Sequence, residues 1–400
     1  GGGGPPLEPP PPHGGGFYSA QSFRQTGGGA GKPAPPPVLE LNFLKGAVLM
    51  RYDAEALKEF SIQIMCRCGL SREQSEIFSD SLIRADLRGI SSHGLTRLTA
   101  YARRVELGLV SGHVTPEITR DGGGVIAVDG KNGMGAYVGR WTMEACVRRA
   151  REQGGCFAAV AHGNHFGYAA YFTEYAARQG MLGLAIANGP PAMPPTGGKT
   201  PLLGTNPLAV SLPTGDPDRP LTLDMATSAA ARGKVTLAKK NGQSIPLGWG
   251  VDSQGNPTTD PEAVLSGGAM LPMGGPKGYA ISLIIDVLCS CITGSADGQT
   301  MGSFYDFTRT QNSGYCFAAL DLSRMVEPEV WSQRVQALLD TMRACPRQPG
   351  VEAIQIPGQP EQEKQERNLR EGIVLSSAVE GELRALSERL QVPFPASLEG

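Results

Sequence analysis

The spacing of apolar residues predicts a run of helices at the start of the ordered chain. One runs from Asp53, placed as its N-cap, through about Cys66, and Gly69 stops it. Ser71 followed by Gln74 makes a capping box that opens a second, through Ile77, Phe78, Leu82 and Ala85 to near Gly89. After Ser91-Ser92-His93-Gly94 a further helix-like run carries Arg97 and Tyr101. The pattern then changes to short apolar runs alternating with helical stretches. Strands are expected at residues 125–128, 156–161, 182–187, 208–212, 221–224 and 316–320. Helices are expected at about 137–153, from the loop with His162 and His165 to Gly180, and at 227–239, closed by Asn241-Gly242. Glu144 and Arg148 are set as an i,i+4 pair on the first of these. Residues 279–292 read as a strongly apolar helix, expected to be buried on most sides. Helices near 329–342 and 378–390 complete the pattern. Such alternation indicates an α/β fold.

Composition changes this picture at the N-terminal end. Residues 1–37 hold 11 Gly and 10 Pro. Such a segment cannot bury enough apolar surface to offset its ordering entropy, so residues 1–38 are expected to be disordered. The first residue is Gly rather than Met, and the native start is expected to lie upstream. Arg24 and Lys32 against the single acid Glu8 give the segment a faint likeness to an organellar transit peptide, without the Arg-rich amphipathic helix. The 400 residues suffice for about two to three domains. With 40% hydrophobic and 18% charged residues and 54 Gly, the chain suits a loop-rich globular enzyme. A net charge of −2 gives no electrostatic case for nucleic acid or an anionic membrane surface. The longest apolar run, 281–292, is interrupted by Asp286 and is too short for a membrane span of about 20 residues. The eight Cys include no C-x-x-C and fit reduced, mostly buried thiols in the cytoplasm rather than a disulfide framework.

Several short segments can carry chemistry. Arg97 lies four residues after His93 and Tyr101 eight, so on a helix all three share a face. A proton carrier, a fixed cation and a phenol together suit the grip of a small carboxylate, although each alone is commonly structural. Gly163-Asn164-His165-Phe166-Gly167 puts a second His just after a strand, where ligands bind in α/β folds. His162 and His165 raise a metal site, but no nearby Cys, Asp or Glu completes it. Gly204-Thr205-Asn206-Pro207 is an ordinary turn or backbone lying close to a ligand. Asp224-Met225-Ala226-Thr227-Ser228, leading to Arg232-Gly233-Lys234, is a helix cap or a nucleotide phosphate site. Gly274 to Gly278 with Lys277 offers glycines and a cation at a helix start. Two decoys fail. Gly198-Lys199-Thr200 lacks the first Gly of a P-loop, since position 193 is Met. Gly133, Gly135 and Gly139 imitate a Rossmann fingerprint with one interval too long, and no β-α-β unit with a ribose-binding acid is expected to follow.

In order along residues 57–395 the chain carries A-D-L-R-G-I-S-S-H-G, G-N-H-F-G, G-T-N-P, D-M-A-T-S-x-x-A-R-G-K, I-P-x-G-W, P-T-T-D-P, L-P-M-G-G-P-K-G-Y and Q-N-S-G. Together these resemble the type 2 malate/L-lactate dehydrogenase family, which includes ureidoglycolate, diketogulonate and sulfolactate dehydrogenase-like enzymes. The resemblance implies an oxidoreductase that uses NAD or NADP and moves a hydride between nicotinamide and a small 2-hydroxy acid or its 2-oxo partner. It implies an α/β fold with a non-Rossmann NAD(P)-binding domain at 121–324, built on a mixed, largely antiparallel sheet. A mostly helical domain would come from 39–120 with 325–395. It also implies a homodimer with sites near the interface. By motif it places Ser92, His93, Arg97, Tyr101 and His165 at the substrate. Asp224, Met225, Ala226 and Lys277 fall along the cofactor, and Gly189, Glu371 and Gly372 beside it. Pro276 and Tyr315 depart from the family's usual residues without removing a catalytic group. Reduction of a cyclic imine acid, metal-dependent hydrolysis through His162 and His165, and a non-catalytic homologue stand as alternatives. Either His can carry the proton, and the sequence tie to Arg97 favours His93.

Overall fold

β1 (Met50–Tyr52), α1 (Ala54–Arg67), α2 (Arg72–Leu87) and α3 (Leu98–Glu106) open the ordered chain. The structure, a computed structural model, describes residues 50–398 apart from Asn241; the Gly/Pro-rich segment 1–38 and the turn residue Asn241 lie outside them. The described residues form one compact unit. Asp53 caps α1 as expected, accepting the Ala56 N–H at 2.8 Å. Ser71 accepts the Gln74 N–H at 3.3 Å, but the reciprocal arm of the box is absent. Gln74 Nε2 instead donates to Val114 O at 2.8 Å and ties α2 to the following turn.

β2 (Glu117–Asp121), β3 (Val125–Asp129), α4 (Gly135–Gln153), β4 (Gly155–Gly163), α5 (Ala170–Arg178), β5 (Met181–Ala187), β6 (Leu208–Leu212) and β7 (Leu221–Met225) follow. Next come α6 (Arg232–Lys240), β8 (Gly250–Val251), β9 (Pro257–Thr258), α7 (Pro261–Leu265) and β10 (Ala269–Met270). The chain continues through α8 (Pro276–Asp286), a π-helical turn at Val287–Ile292, β11 (Ser313–Asp321), α9 (Pro328–Arg343), α10 (Gln359–Glu371), β12 (Ile373–Leu375) and α11 (Ser377–Leu390). The main sheet has seven strands in the order β2-β3-β4-β11-β5-β6-β7. Among the described residues β3–β4 is its one parallel pair; the other five are antiparallel.

The central strands are apolar on both faces, and their period of two sorts them between two layers. Ala158, Val160, Ala185, Tyr315 and Phe317 pack with α4 and α5 residues such as Val138, Val147 and Phe172. Their neighbours Ala159, Ile186 and Cys316 pack with Ile285 of α8 and Cys289 of the π-helical turn. A separate helical core joins the two ends of the described chain. Leu57, Phe60, Phe78 and Leu98 meet Leu383 and Leu386 there, and β1 pairs antiparallel with β12. α9 docks elsewhere, Trp331 Nε1 donating to Pro213 O at 2.9 Å beside the β6–β7 turn.

Five expectations are corrected. Residues 279–292 are not buried on most sides: Leu283, Ile284, Val287 and Ile292 are exposed. A helix that is apolar all round meets the sheet on only one side within a single chain. Glu144 pairs back to Arg140 at 2.7 Å rather than forward to Arg148. α6 begins at Arg232, five residues late, because residues 224–228 still follow the sheet: Thr227 N–H bonds Thr205 O at 3.0 Å. The thiols are less buried than expected, with Cys291 and Cys345 exposed, although all eight are free. The glycines at 133–139 lie inside a β-α-β unit that the sequence did not announce, formed by β3, α4 and the parallel β4. Its glycines make room for protein: a Cβ on Gly135 would meet His165 O at 2.3 Å and one on Gly139 the Phe172 ring at 2.6 Å.

Candidate active site

His93, Arg97 and Tyr101 do not lie on one helix. Ser91–His93 and Leu95–Arg97 are two 3₁₀ turns, separated by extended Gly94, and α3 begins only at Leu98. The break is held from beneath. Asp86 of α2 accepts the Leu95 N–H at 2.8 Å. A Cβ on Gly94 would sit 2.0 Å from Asp86 Oδ1, so only glycine fits this approach. Burial pushes the Asp86 carboxyl up to about 7 against the opposing Leu95 N–H bond.

The second His arrives on the loop after β4. Asn164 is buried and clamps this loop, donating to Gly133 O at 3.0 Å and to Asn132 O at 3.1 Å. His165 N–H donates to Gln311 Oε1 at 2.9 Å. The two imidazoles then stack, with ring centroids 5.6 Å apart and planes 14° from parallel. Each has its Nδ1 occupied. Ser92 Oγ lies 2.9 Å from His93 Nδ1, and Tyr101 Oη lies 2.5 Å from His165 Nδ1. The Gly167 N–H also points at His165 Nδ1, at 3.4 Å. Burial raises the Tyr101 pKa, so its phenol keeps its proton and donates. With donors at Nδ1, the neutral His165 carries its hydrogen on Nε2.

Arg97 is fixed on three sides. Its Nε donates to Ser92 O at 2.6 Å. Its Cζ lies 5.1 Å from the Phe304 centroid and 5.8 Å from that of Tyr305. Phe304 also packs 5.1 Å from His165 and 4.7 Å from Tyr101. The Nη atoms of Arg97 make no hydrogen bond among the described residues. Burial, and then the Arg97 charge, pull the His93 pKa down to about 3. The same causes hold His165 well below the ordinary imidazole range. Both rings are half-buried, so they are enclosed by protein yet open on one side.

His162, by contrast, turns to the surface, its Nδ1 2.9 Å from Asp129 Oδ1. Among the described residues no group of three or more His, Cys, Asp or Glu converges as a metal site would. Phe304, Tyr305, Gln311 and Asp86 are absent from the residues singled out in the sequence. Asp86 and Gln311 sit inside quoted motifs; Phe304 and Tyr305 lie about 200 residues from Arg97, and no local spacing joins them to it.

The glycine-rich segments assemble along one strip. Gly189 N–H donates to Asn206 Oδ1 at 3.0 Å, and Asn206 Nδ2 to Ser282 O of α8 at 2.9 Å. Thr227 O accepts the Met273 N–H at 2.9 Å. Thr227 Oγ1 is buried with no partner among the described residues. Gly274 and Gly275 adopt φ of 56° and 62°, and a Cβ on either would meet nothing within 4 Å. Lys277 is exposed on the first turn of α8, without an ion pair among the described residues. Open backbone, an unpartnered hydroxyl and a free cation fit an elongated anionic ligand such as a dinucleotide. Met225 ends β7 and Ala226 follows it, next to Thr227 of this strip. Asp224 is engaged already, but with α5 rather than the helix that follows it: its Oδ2 accepts the Ala170 N–H at 3.0 Å. Glu371 pairs with Arg51 at 3.3 Å, and Gly372, at φ 88°, turns α10 into β12. Both lie beside β1, at Arg51 and Tyr52, and these contacts do not reach the His93–His165 cluster.

A mixed, largely antiparallel sheet, paired imidazoles beside a held guanidinium, and a glycine-lined strip define an α/β enzyme of non-Rossmann type. The malate/L-lactate dehydrogenase family model matches residues 52–384, and the chain belongs to that family. It is 33% identical over 362 residues to a malate dehydrogenase of Pyrococcus horikoshii, covering 88% of this chain and 99% of the relative. It is 33% identical over 325 residues to the ureidoglycolate dehydrogenase (NAD(+)) of Escherichia coli K12, covering 81% and 92%. It is 35% identical over 334 residues to the (2R)-3-sulfolactate dehydrogenase (NADP(+)) of Chromohalobacter salexigens, covering 83% and 96%. Among solved structures, the sulfolactate dehydrogenase of Methanocaldococcus jannaschii superposes with a TM-score of 0.81 at 33% identity, covering 86% of this chain and 98% of the other.

Proposed function

We infer that the protein is an NAD(P)-dependent dehydrogenase acting on the CH–OH group of small 2-hydroxy acids, reversibly with their 2-oxo partners. Membership of a family whose relatives oxidise malate, ureidoglycolate and sulfolactate supports this class. The observation that carries the site assignment is the single free edge of Arg97. Its Nε is used by Ser92 O and its flank is packed by aromatic rings, which leaves the two Nη atoms for a carboxylate, bidentate. When bound, the cofactor supplies or accepts the hydride. Gly189, Thr227, Gly274, Gly275 and Lys277 would hold it, with Asp224, Met225 and Ala226 alongside. His165 Nε2–H donates to the substrate oxygen, Tyr101 O–H holds that tautomer from Nδ1, and the proton given is made good from solvent on the open side of the ring. His93 stacks beside it as the second imidazole of the wall, held by Ser92. The hydrogen bonds thus favour His165 as the proton carrier, where sequence proximity to Arg97 favours His93.

The test is the change in nicotinamide absorbance with NADH and NADPH in parallel, over oxaloacetate, pyruvate, sulfopyruvate, an oxalurate-type acid and a cyclic imine acid. H165N is expected to lose about 10²–10⁴-fold in turnover, as for removal of a general acid, and H93N less. Near-normal turnover in both variants sinks the assignment. We also propose that the chain is a homodimer. The exposed Leu283, Ile284, Val287 and Ile292 make an apolar stripe along α8 and the π-helical turn, which a second copy would cover.

A further inference from the structure

The loop between Met301 and Gln311 is unusually well held for an irregular segment. Arg104 of α3 is buried to 1% exposure. Its guanidinium donates to three of the loop's carbonyls, Asp306 O at 2.7 Å, Arg309 O at 3.1 Å and Phe304 O at 3.2 Å. Asp306 also caps the loop internally, accepting the Thr308 N–H at 3.0 Å. The frame presents two adjacent rings. Phe304 and Tyr305 are 5.0 Å apart between centroids with planes at 78°, so they form a corner. Arg97 lies in that corner. Phe304 is buried, wedged also against His165 and Tyr101. Tyr305 is 62% exposed and borders an open cavity of about 580 Å³ lined also by Thr96, Arg103 and Phe307. Nothing in the family motifs points to either ring.

We propose that Phe304 and Tyr305 are positioning residues: they hold the Arg97 guanidinium by cation–π contact so that its Nη edge alone meets the substrate carboxylate. This rests on the reading of Arg97 as the carboxylate anchor. A guanidinium on a long flexible stem pays rotamer entropy each time it binds. Rings on its flank remove alternatives beforehand, and Nε–H to Ser92 O removes rotation about the last bond. The benefit falls on substrate binding, not on proton transfer, so the two effects separate in kinetics.

The experiment measures KM and kcat for the best 2-oxo acid in Y305F, Y305L, F304L and R97M, with thermal stability alongside. An exposed cation–π contact of about 0.5–1 kcal/mol corresponds to about two- to fivefold, so Y305L should raise KM by that factor with kcat little changed. Y305F, which keeps the ring and loses only the hydroxyl, should restore the wild-type KM. F304L should raise KM further if it folds; should it not fold, the exposed Tyr305 series decides alone. A wild-type KM in Y305L, or Y305F as poor as Y305L, overturns the clamp. R97M separates the two claims. If R97M leaves KM unchanged, the anchor reading itself is wrong; if R97M raises KM and Y305L does not, only the clamp falls.

Discussion

At the scale of single residues the site is a set of side chains whose charge states are set by their neighbours. Burial and Arg97 hold both imidazoles neutral far below the ordinary value near 6.5. The kcat/KM profile for hydroxy-acid oxidation, which reports the free enzyme, should therefore show no acid limb near pH 6.5. R97M, which removes the cation facing His93, should move the limb upward. A wild-type limb at 6.5 or above contradicts the assignment. The same shifts bear on stability. The unfolded chain takes up His protons before the folded one does, so these two groups favour the fold above about pH 6.5 and lose that support as pH falls. Residue chemistry was the most legible part of the sequence. His93, Arg97, Tyr101 and His165 do converge, and each had been picked out from motif or spacing. What the sequence hid was the partner of each: Tyr101 with His165 is a contact across 64 residues.

Elements explain why the convergence works. The one-face argument assumed a continuous helix from His93 to Tyr101, whereas Gly94 breaks it and Asp86 fills the break. Asp86 is the inverse of the two imidazoles in its response to pH. Its folded pKa of about 7 lies above the unfolded carboxylate value, so its contribution is present in acid and lost as pH rises through about 7. D86N keeps an oxygen to accept the Leu95 N–H and has no charge to bury. Its melting temperature relative to wild type should be higher at pH 8 than at pH 5; an equal difference at both would show that Asp86 does not titrate in this range. Element boundaries were readable where a local cap decides them, as at Asp53 and Ser71. They were misread where tertiary pairing overrides the cap, as at 227–231, where the backbone stays with the sheet instead of entering α6.

The whole molecule was legible in class rather than in arrangement. Alternating strands and helices gave α/β, and the resemblance added the largely antiparallel sheet that is present. The order β2-β3-β4-β11-β5-β6-β7 was not readable, because β11 inserts between β4 and β5 from over 100 residues away. The mistaken burial of 279–292 has the same origin: a sequence shows that a face is apolar, not which molecule covers it. If a second copy covers it, I284D, at a residue 59% exposed, should shift the mass measured by sedimentation from two chains to one. A wild-type protein of one-chain mass at assay concentration would contradict the dimer. Among the described residues no helix is long and apolar enough to cross a membrane.

Arg104 fixes the 301–311 loop through carbonyl oxygens alone. Every amino acid carries that group, so the anchorage is blind to which side chains the loop bears. Phe307, which does not touch Arg97, can therefore be exchanged over evolutionary time without loosening the frame that presents it. A lineage in need of a new hydroxy acid could revise this wall of the pocket one side chain at a time, while the imidazoles and the guanidinium stay as they are.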